Sequence, residues 1–137
     1  MNELHRLAHD FFERVWNQGD ERAIDEFLSD QTIGNDPHFG TGKESFRKQW
    51  KAWQSAFSDI HFEVLEVVAE GETVVTRWHL SGTQDGELEG MPASNKKVSV
   101  DGVSIDRIKN NQIISGFDAW DELGFRKQLG LVISKEA

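Results

Sequence analysis

Two hydrophobic periods divide the chain. Up to Phe57 the apolar positions recur every three or four residues, and from Ile60 onward every two. Leu4, Leu7, Ala8, Phe11, Phe12 and Val15 fall on one helical face, which predicts a first helix running out near Asn17-Gln18-Gly19. Asp20 is placed to cap a second helix carrying Ala23, Ile24, Phe27 and Leu28. Thr41 and Glu44 have capping-box spacing and open a third. Along that helix Phe46, Trp50, Trp53 and Phe57 form an aromatic stripe, either core-facing or a binding wall. Residues 60–69 and 73–83 then read as strands joined at Glu70-Gly71.

Val98 to Asp121 read as two long strands around an Asn110-Asn111 turn. A strict two-residue turn sets Ser104 opposite Phe117 and mixes polar with apolar on both faces. A three-residue loop with a bulge sets Val103 opposite Ala119, Ile105 opposite Phe117 and Ser104 opposite Asp118. One face is then apolar, and the other carries Asp106, Ser104, Asp118, Trp120 and Ile114. A one-residue slip flips every side chain, so the segregated register is the expected one.

The segments between are loops: residues 30–40, DQTIGNDPHFG, with at most a short strand, and residues 83–95, TQDGELEGMPASN. Asp121 caps a short last helix ending near Gly130. Three helices before a four-stranded antiparallel meander make an α+β fold. No linker or repeat interrupts residues 1–137, which are expected to form a single domain.

Composition narrows the function. Without cysteine the chain has no disulfide or thiolate chemistry. A net charge of −9 with no basic cluster argues against nucleic acid. No apolar run approaches a membrane span and the first residues are amphipathic, so a cytoplasmic protein without membrane attachment is expected. Five Trp and nine Phe against no Tyr suit an apolar pocket or interface, as well as bulky core packing. His5 and His9 stand one helical turn apart, but with no third ligand nearby they read as a solvated face, and no metal site is assigned. No Gly-rich phosphate cradle or Ser-His-Asp arrangement can be named from the sequence.

Five segments, VWNQGD (15–20), AFSDIHFEV (56–64), GMPAS (90–94), DGVSIDRI (101–108) and DELGFRKQLG (121–130), resemble the SnoaL-like polyketide and ester cyclases, in the same order over nearly the whole chain. The resemblance implies the nuclear-transport-factor-2-like cone: a curved, mainly antiparallel sheet wrapped around N-terminal helices, enclosing a deep apolar pocket. It also implies ring closure by intramolecular aldol condensation, without metal or cofactor, on a small hydrophobic polyketide-like substrate. The family's acid/base Asp falls at Asp118, and Ser104 stands where the family has an assisting His.

The aldol step needs a base for a proton alpha to a carbonyl and an acid for the oxygen that becomes a hydroxyl. Asp118 is the first candidate. Arg77 and His79 alternate together on the strand TVVTRWHLSG, where the related limonene-epoxide hydrolases carry Arg-x-Asp. If that face lines the cone, they form a polar floor and His79 replaces the missing His. Trp16, Trp50, Trp53 and Trp120 are candidate pocket walls, with Ser104 and, in the GMPAS segment, Met91. Asn35 and His38 lie in a loop placed to cover the mouth. Asp121 is the rival acid, with helix capping as its other reading. The competing functions are a non-catalytic carrier of small hydrophobic molecules and a dimerisation module. Val103, Ile105, Phe117 and Ala119 are candidates for a homodimer interface.

Overall fold

The computed structural model describes residues 2–34 and 41–131. Helix α1 (Glu3–Phe11) passes without a break into a π-helical stretch, Phe12–Asn17, followed by α2 (Glu21–Phe27) and strand β1 (Leu28–Gly34). Helix α3 (Lys43–Ala56) precedes strands β2 (His61–Glu70), β3 (Thr73–Thr83), β4 (Lys97–Lys109) and β5 (Gln112–Trp120), and α4 (Glu122–Gln128) closes the described chain. The strand order is β1-β5-β4-β3-β2.

The expected meander is present but is not the whole sheet. Strand β1 adds to β5 in parallel, with Ile33 opposite Ser115 and Gly34 opposite Gly116, so the sheet is five-stranded and mixed. The sequence of β1, LSDQTIG, buries only Leu28 and Thr32 and so lacks the alternation that identifies a strand. The helices pack on the inner face of the curved sheet, in the expected cone-like α+β arrangement.

The sequence segments have identifiable jobs in this packing. In the π-helical stretch the Val15 carbonyl accepts from the Trp50 indole at 2.8 Å, and that of Trp16 from Gln54 Nε2 at 3.1 Å. The Asn17 amide pairs both ways with the backbone of Phe62, at 2.9 and 2.7 Å, fixing the helix end to β2. Asp20 caps α2 and Asp121 caps α4, as the sequence predicts. The capping box does not form: α3 begins after Gly42, whose positive φ turns the chain, and no side chain caps it. Instead the Ser45 hydroxyl donates to the Thr41 carbonyl at 3.0 Å.

The β4–β5 register is the expected one, with Val103 opposite Ala119, Ser104 opposite Asp118 and Ile105 opposite Phe117. The device that produces it differs. Asn110 and Asn111 both take positive φ in a tight turn closed by the pair Lys109–Gln112. The extra residue enters further along, where the register shifts between Arg107 and Ile108. That bulge puts Ile113 inside, 4% exposed, and leaves Ile114 outside the pocket at 37%. The expected place of Ile114 beside Asp118 is thereby corrected.

Candidate active site

A cavity of about 150 Å³ lies between the helices and the inner sheet face. Phe11, Phe12 and Trp16 wall it on the helical side, with Phe46, Gln49 and Trp53 of α3. Phe62, Trp78 and Leu80 form its sheet side, and Ser104, Asp106, Gly116, Asp118 and Trp120 come from the β4–β5 hairpin. Leu28, Thr32, Ile33 and Gly34 of strand β1 complete the lining.

The polar side chains of the hairpin are ordered by one hydrogen-bonded series. The Trp78 indole donates to Ser104 Oγ at 2.9 Å, and Ser104 Oγ donates to Asp118 Oδ1 at 2.6 Å. An indole N–H can only donate, so the serine oxygen accepts there and its single proton goes to Asp118. Oδ1 of Asp118 is therefore an acceptor, which suits a carboxylate. Two glycines make the space. A Cβ on Gly102 would meet the Trp78 ring at 2.3 Å, and one on Gly116 would come within 2.8 Å of Asp106 Oδ1.

Asp106 carries a strong electrostatic perturbation. Its carboxyl is pushed up to about 8, first by loss of solvation and second by the negative charge of Asp118. By surface area the residue is only half-buried. Area understates its isolation, since a carboxyl facing a narrow cavity is accessible to a probe yet touches little bulk water. Sequence analysis places Asp106 on the Asp118 face without assigning it a role. The available signal is the strand alternation, with a glycine opposite.

Of the expected site residues, Asp118, Ser104, Trp16, Trp53 and Trp120 line the cavity together. Trp53 and Trp120 meet edge to face, with ring centroids 6.0 Å apart. Trp50 does not line it: its ring is 6% exposed, packed in the core and bonded to Val15. Met91 lies in the loop before β4, where its backbone pairs with Leu88, and it does not line the cavity either. Asn35 and His38 fall outside the described residues. Asp121 is occupied at the helix terminus, its Oδ1 accepting from the Gly124 N–H at 2.9 Å.

The polar floor of Arg77 and His79 does not form. Trp78 between them points inward, so strand alternation turns both outward. Arg77 pairs with Glu66 at 3.2 Å across β2. His79 Nδ1 lies 2.6 Å from Asp101 Oδ1, and Nε2 lies 2.7 Å from Ser99 Oγ. The ladder register thus assembles a Ser-His-Asp series that sequence spacing does not reveal. It sits outside the cavity, Asp101 is 70% exposed, and the Ser99 N–H is already given to Gln128 Oε1 at 2.7 Å. Nucleophilic catalysis needs an oxyanion site as well, so this series reads as a surface network.

Among the described residues no group of three His, Cys, Asp or Glu is placed to hold a metal ion, and no helix is long and apolar enough to cross a membrane.

Comparison with known proteins gives one family. Residues 6–129 match the model of the SnoaL-like polyketide cyclase family. The chain is 31% identical over 106 residues to an aklanonic acid methyl ester cyclase of Streptomyces peucetius, covering 77% of this chain and 72% of that protein. A similar cyclase of Streptomyces sp. strain C5 is 30% identical over 111 residues, or 80% of this chain and 68% of its own length. In structure the chain is similar to TsrD of Streptomyces laurentii, with a TM-score of 0.86 and 29% identity over 96% of this chain and 99% of that one. A SnoaL-like polyketide cyclase of Agrobacterium tumefaciens shares the fold at 17% identity, with a TM-score of 0.79 over 95% of this chain and all of that one. The chain belongs to the SnoaL-like polyketide cyclase family.

Proposed function

We propose that this member of the SnoaL-like polyketide cyclase family acts as a single domain. It closes a ring in a small polyketide-like substrate by intramolecular aldol condensation, with the Asp118 carboxylate as base and without metal or cofactor. The observation that carries the reading is the Trp78–Ser104–Asp118 series at the cavity wall. It fixes one carboxylate oxygen and aims the group into a mostly aromatic pocket. Catalysis of proton transfer from carbon depends on such a held base, and contributes roughly 10²–10⁴-fold.

The cavity volume bears on what enters. An apolar cavity of about 150 Å³ can accept a single aromatic ring, whereas sites for drug-sized molecules start at about 300 Å³. The pocket therefore suits the reacting end of a substrate, with the remainder at the rim near Ile33, which is 55% exposed. The name of the Streptomyces peucetius relative supplies a first probe.

The test incubates purified protein with aklanonic acid methyl ester and with smaller aromatic β-keto esters, in the presence of a chelator. An isomeric product of unchanged mass, formed by the wild type and not by Asp118→Asn, supports the reading. Saturable ligand binding without conversion of any of these esters would instead favour the carrier. The outer sheet face adds a second element to the reading, a homodimer built on Ile105 and Phe117, which are 40% and 51% exposed.

A further inference from the structure

We propose that Asp106 is a second catalytic group of this pocket: the acid that protonates the carbonyl oxygen as the ring closes, while Asp118 removes the proton from carbon. This rests on the ring-closure reading and assigns the half of the chemistry that Asp118 leaves open.

The geometry sets the two carboxyl-bearing residues on one wall of the cavity. On β4, Ser104 and Asp106 share the inner face; on β5, Gly116 and Asp118 lie opposite them in reverse order. Asp106 and Asp118 are therefore diagonal neighbours on one face, near enough for the charge of Asp118 to act on the Asp106 carboxyl. Gly116 leaves the space that the Asp106 carboxyl occupies. Both line the cavity, and no other described residue lining it is titratable.

Their surroundings assign opposite roles. Asp118 Oδ1 accepts the Ser104 hydroxyl at 2.6 Å, a bond that strengthens when the group is ionised and so supports Asp118 as the base. Asp106 is short of solvent and faces that negative charge, so at neutral pH it retains its proton. A carboxyl that keeps its proton beside one that accepts from a hydroxyl supplies an acid and a base in one pocket.

The step balances within the substrate. Asp118 takes a proton from the carbon alpha to one carbonyl, and the electron pair of that C–H bond forms the new C–C bond to a second carbonyl carbon. The displaced C=O π pair becomes an oxygen lone pair and takes the proton of Asp106, giving the hydroxyl. The enzyme is left with Asp118 protonated and Asp106 ionised. Transfer of one proton between them through solvent after product release restores the starting state.

Two readouts separate the roles. In D₂O the wild type should exchange the alpha proton of the keto ester above the spontaneous rate and should also close the ring. Asp106→Asn should retain exchange and lose ring closure roughly 10²–10⁴-fold. Asp118→Asn should lose both. Ring closure by the wild type should also fall above pH of about 8, where Asp106 ionises, while exchange should not. If Asp106→Asn does not fold, that wild-type profile decides: closure with no fall above this pH overturns the proposal. Wild-type closure rates in a folded Asp106→Asn, beside a dead Asp118→Asn, overturn the role of Asp106 alone. A wild type that neither exchanges nor cyclises overturns the ring-closure reading and this one with it.

Discussion

Gly116 faces Asp106 directly across the β4–β5 ladder, and the missing side chain of the one is the space taken by the carboxyl of the other. Gly116 is not among the positive-φ glycines, so its backbone accepts alanine. A Cβ there would stand 2.8 Å from Asp106 Oδ1, close enough to turn a flexible carboxyl aside without displacing a strand. Gly116→Ala is expected to slow ring closure by about tenfold or more, equivalent to about 1.4 kcal/mol of barrier, while thermal melting shifts little. Steady-state kinetics and a melting curve on the same preparation check both halves.

Asp106 also predicts a pH dependence of stability. Its folded value of about 8 lies above the ordinary 3.8, so the fold holds the proton more tightly than the unfolded chain does. The contribution is therefore whole below pH of about 4 and is lost as pH rises through about 8. The loss is of the order of a few kcal/mol, since each tenfold difference in proton affinity between the folded and unfolded chain is equivalent to about 1.4 kcal/mol. Asp106→Asn removes the titration, so the difference in unfolding free energy between variant and wild type should move in the variant's favour from acid to alkaline pH. Taking the difference cancels the exposed acids common to both. Urea unfolding across that range measures it, and a constant difference would contradict the burial of this carboxyl.

Ser104 connects the Trp78 indole donor to the Asp118 carboxyl acceptor. Ser104→Ala leaves the Trp78 N–H, inside a ring that is 5% exposed, without that acceptor. An unsatisfied buried donor costs about 1–3 kcal/mol, so a fall in stability of that size is expected by chemical denaturation. Turnover should fall as well, because Asp118 loses the donor that orients it. Ser104→Thr, which keeps the hydroxyl, should restore more of both than alanine does.

What is legible in the sequence follows from alternation. The segregation of apolar and polar residues on β4 and β5 gives the pairing of Ser104 with Asp118 without any turn geometry, because only one register separates the faces. The turn itself is not legible in this way, since a two-residue Asn-Asn turn combined with a bulge at Ile114 gives the same distal register as a longer loop. Strand β1 is hidden because its neighbours, not its own composition, make it a strand. The same alternation that locates Asp118 does not say which face of β3 is inner. Trp78 between Arg77 and His79 decides that, and a buried tryptophan with its indole bonded to Ser104 is visible only in three dimensions. Asp106 falls on the right face in the sequence but carries no role there, because desolvation depends on what encloses a side chain.

The outward turn of Arg77 and His79 gives a discriminating pair of variants. Arg77→Ala removes an ion pair whose partners are 50% and 60% exposed, and such pairs contribute about 0–1 kcal/mol. His79→Ala breaks its hydrogen bonds to Asp101 and Ser99 on the same face. Neither reaches the cavity, so kcat/KM should stay within about threefold of wild type, under about 0.7 kcal/mol. A drop of two orders of magnitude in His79→Ala would move the active site to the outer face of the sheet.

That outer face supplies the remaining prediction. Ile105 and Phe117 sit opposite each other on it, flanked by Val103 and Ala119, and Val68 on β2 is 56% exposed. Scattered exposed apolar residues are ordinary, but a paired cluster on the middle strands of a sheet marks an interaction surface when it is contiguous. A two-fold interface is self-complementary, which a flat apolar strip satisfies with a copy of itself. The protein should therefore scatter light at micromolar concentration with about twice the mass of its 15.6 kDa chain. Phe117→Glu should convert it to monomer, because two carboxylates would face each other across the axis without solvent. The fold should survive, since Phe117 is half exposed in the single chain. Ring closure by that monomer then reports whether the pocket works alone: unchanged turnover would show that dimerisation serves stability, and lost turnover that the hairpin carrying Asp106 and Asp118 needs the partner to hold its shape. A wild-type mass near one chain would refute the dimer.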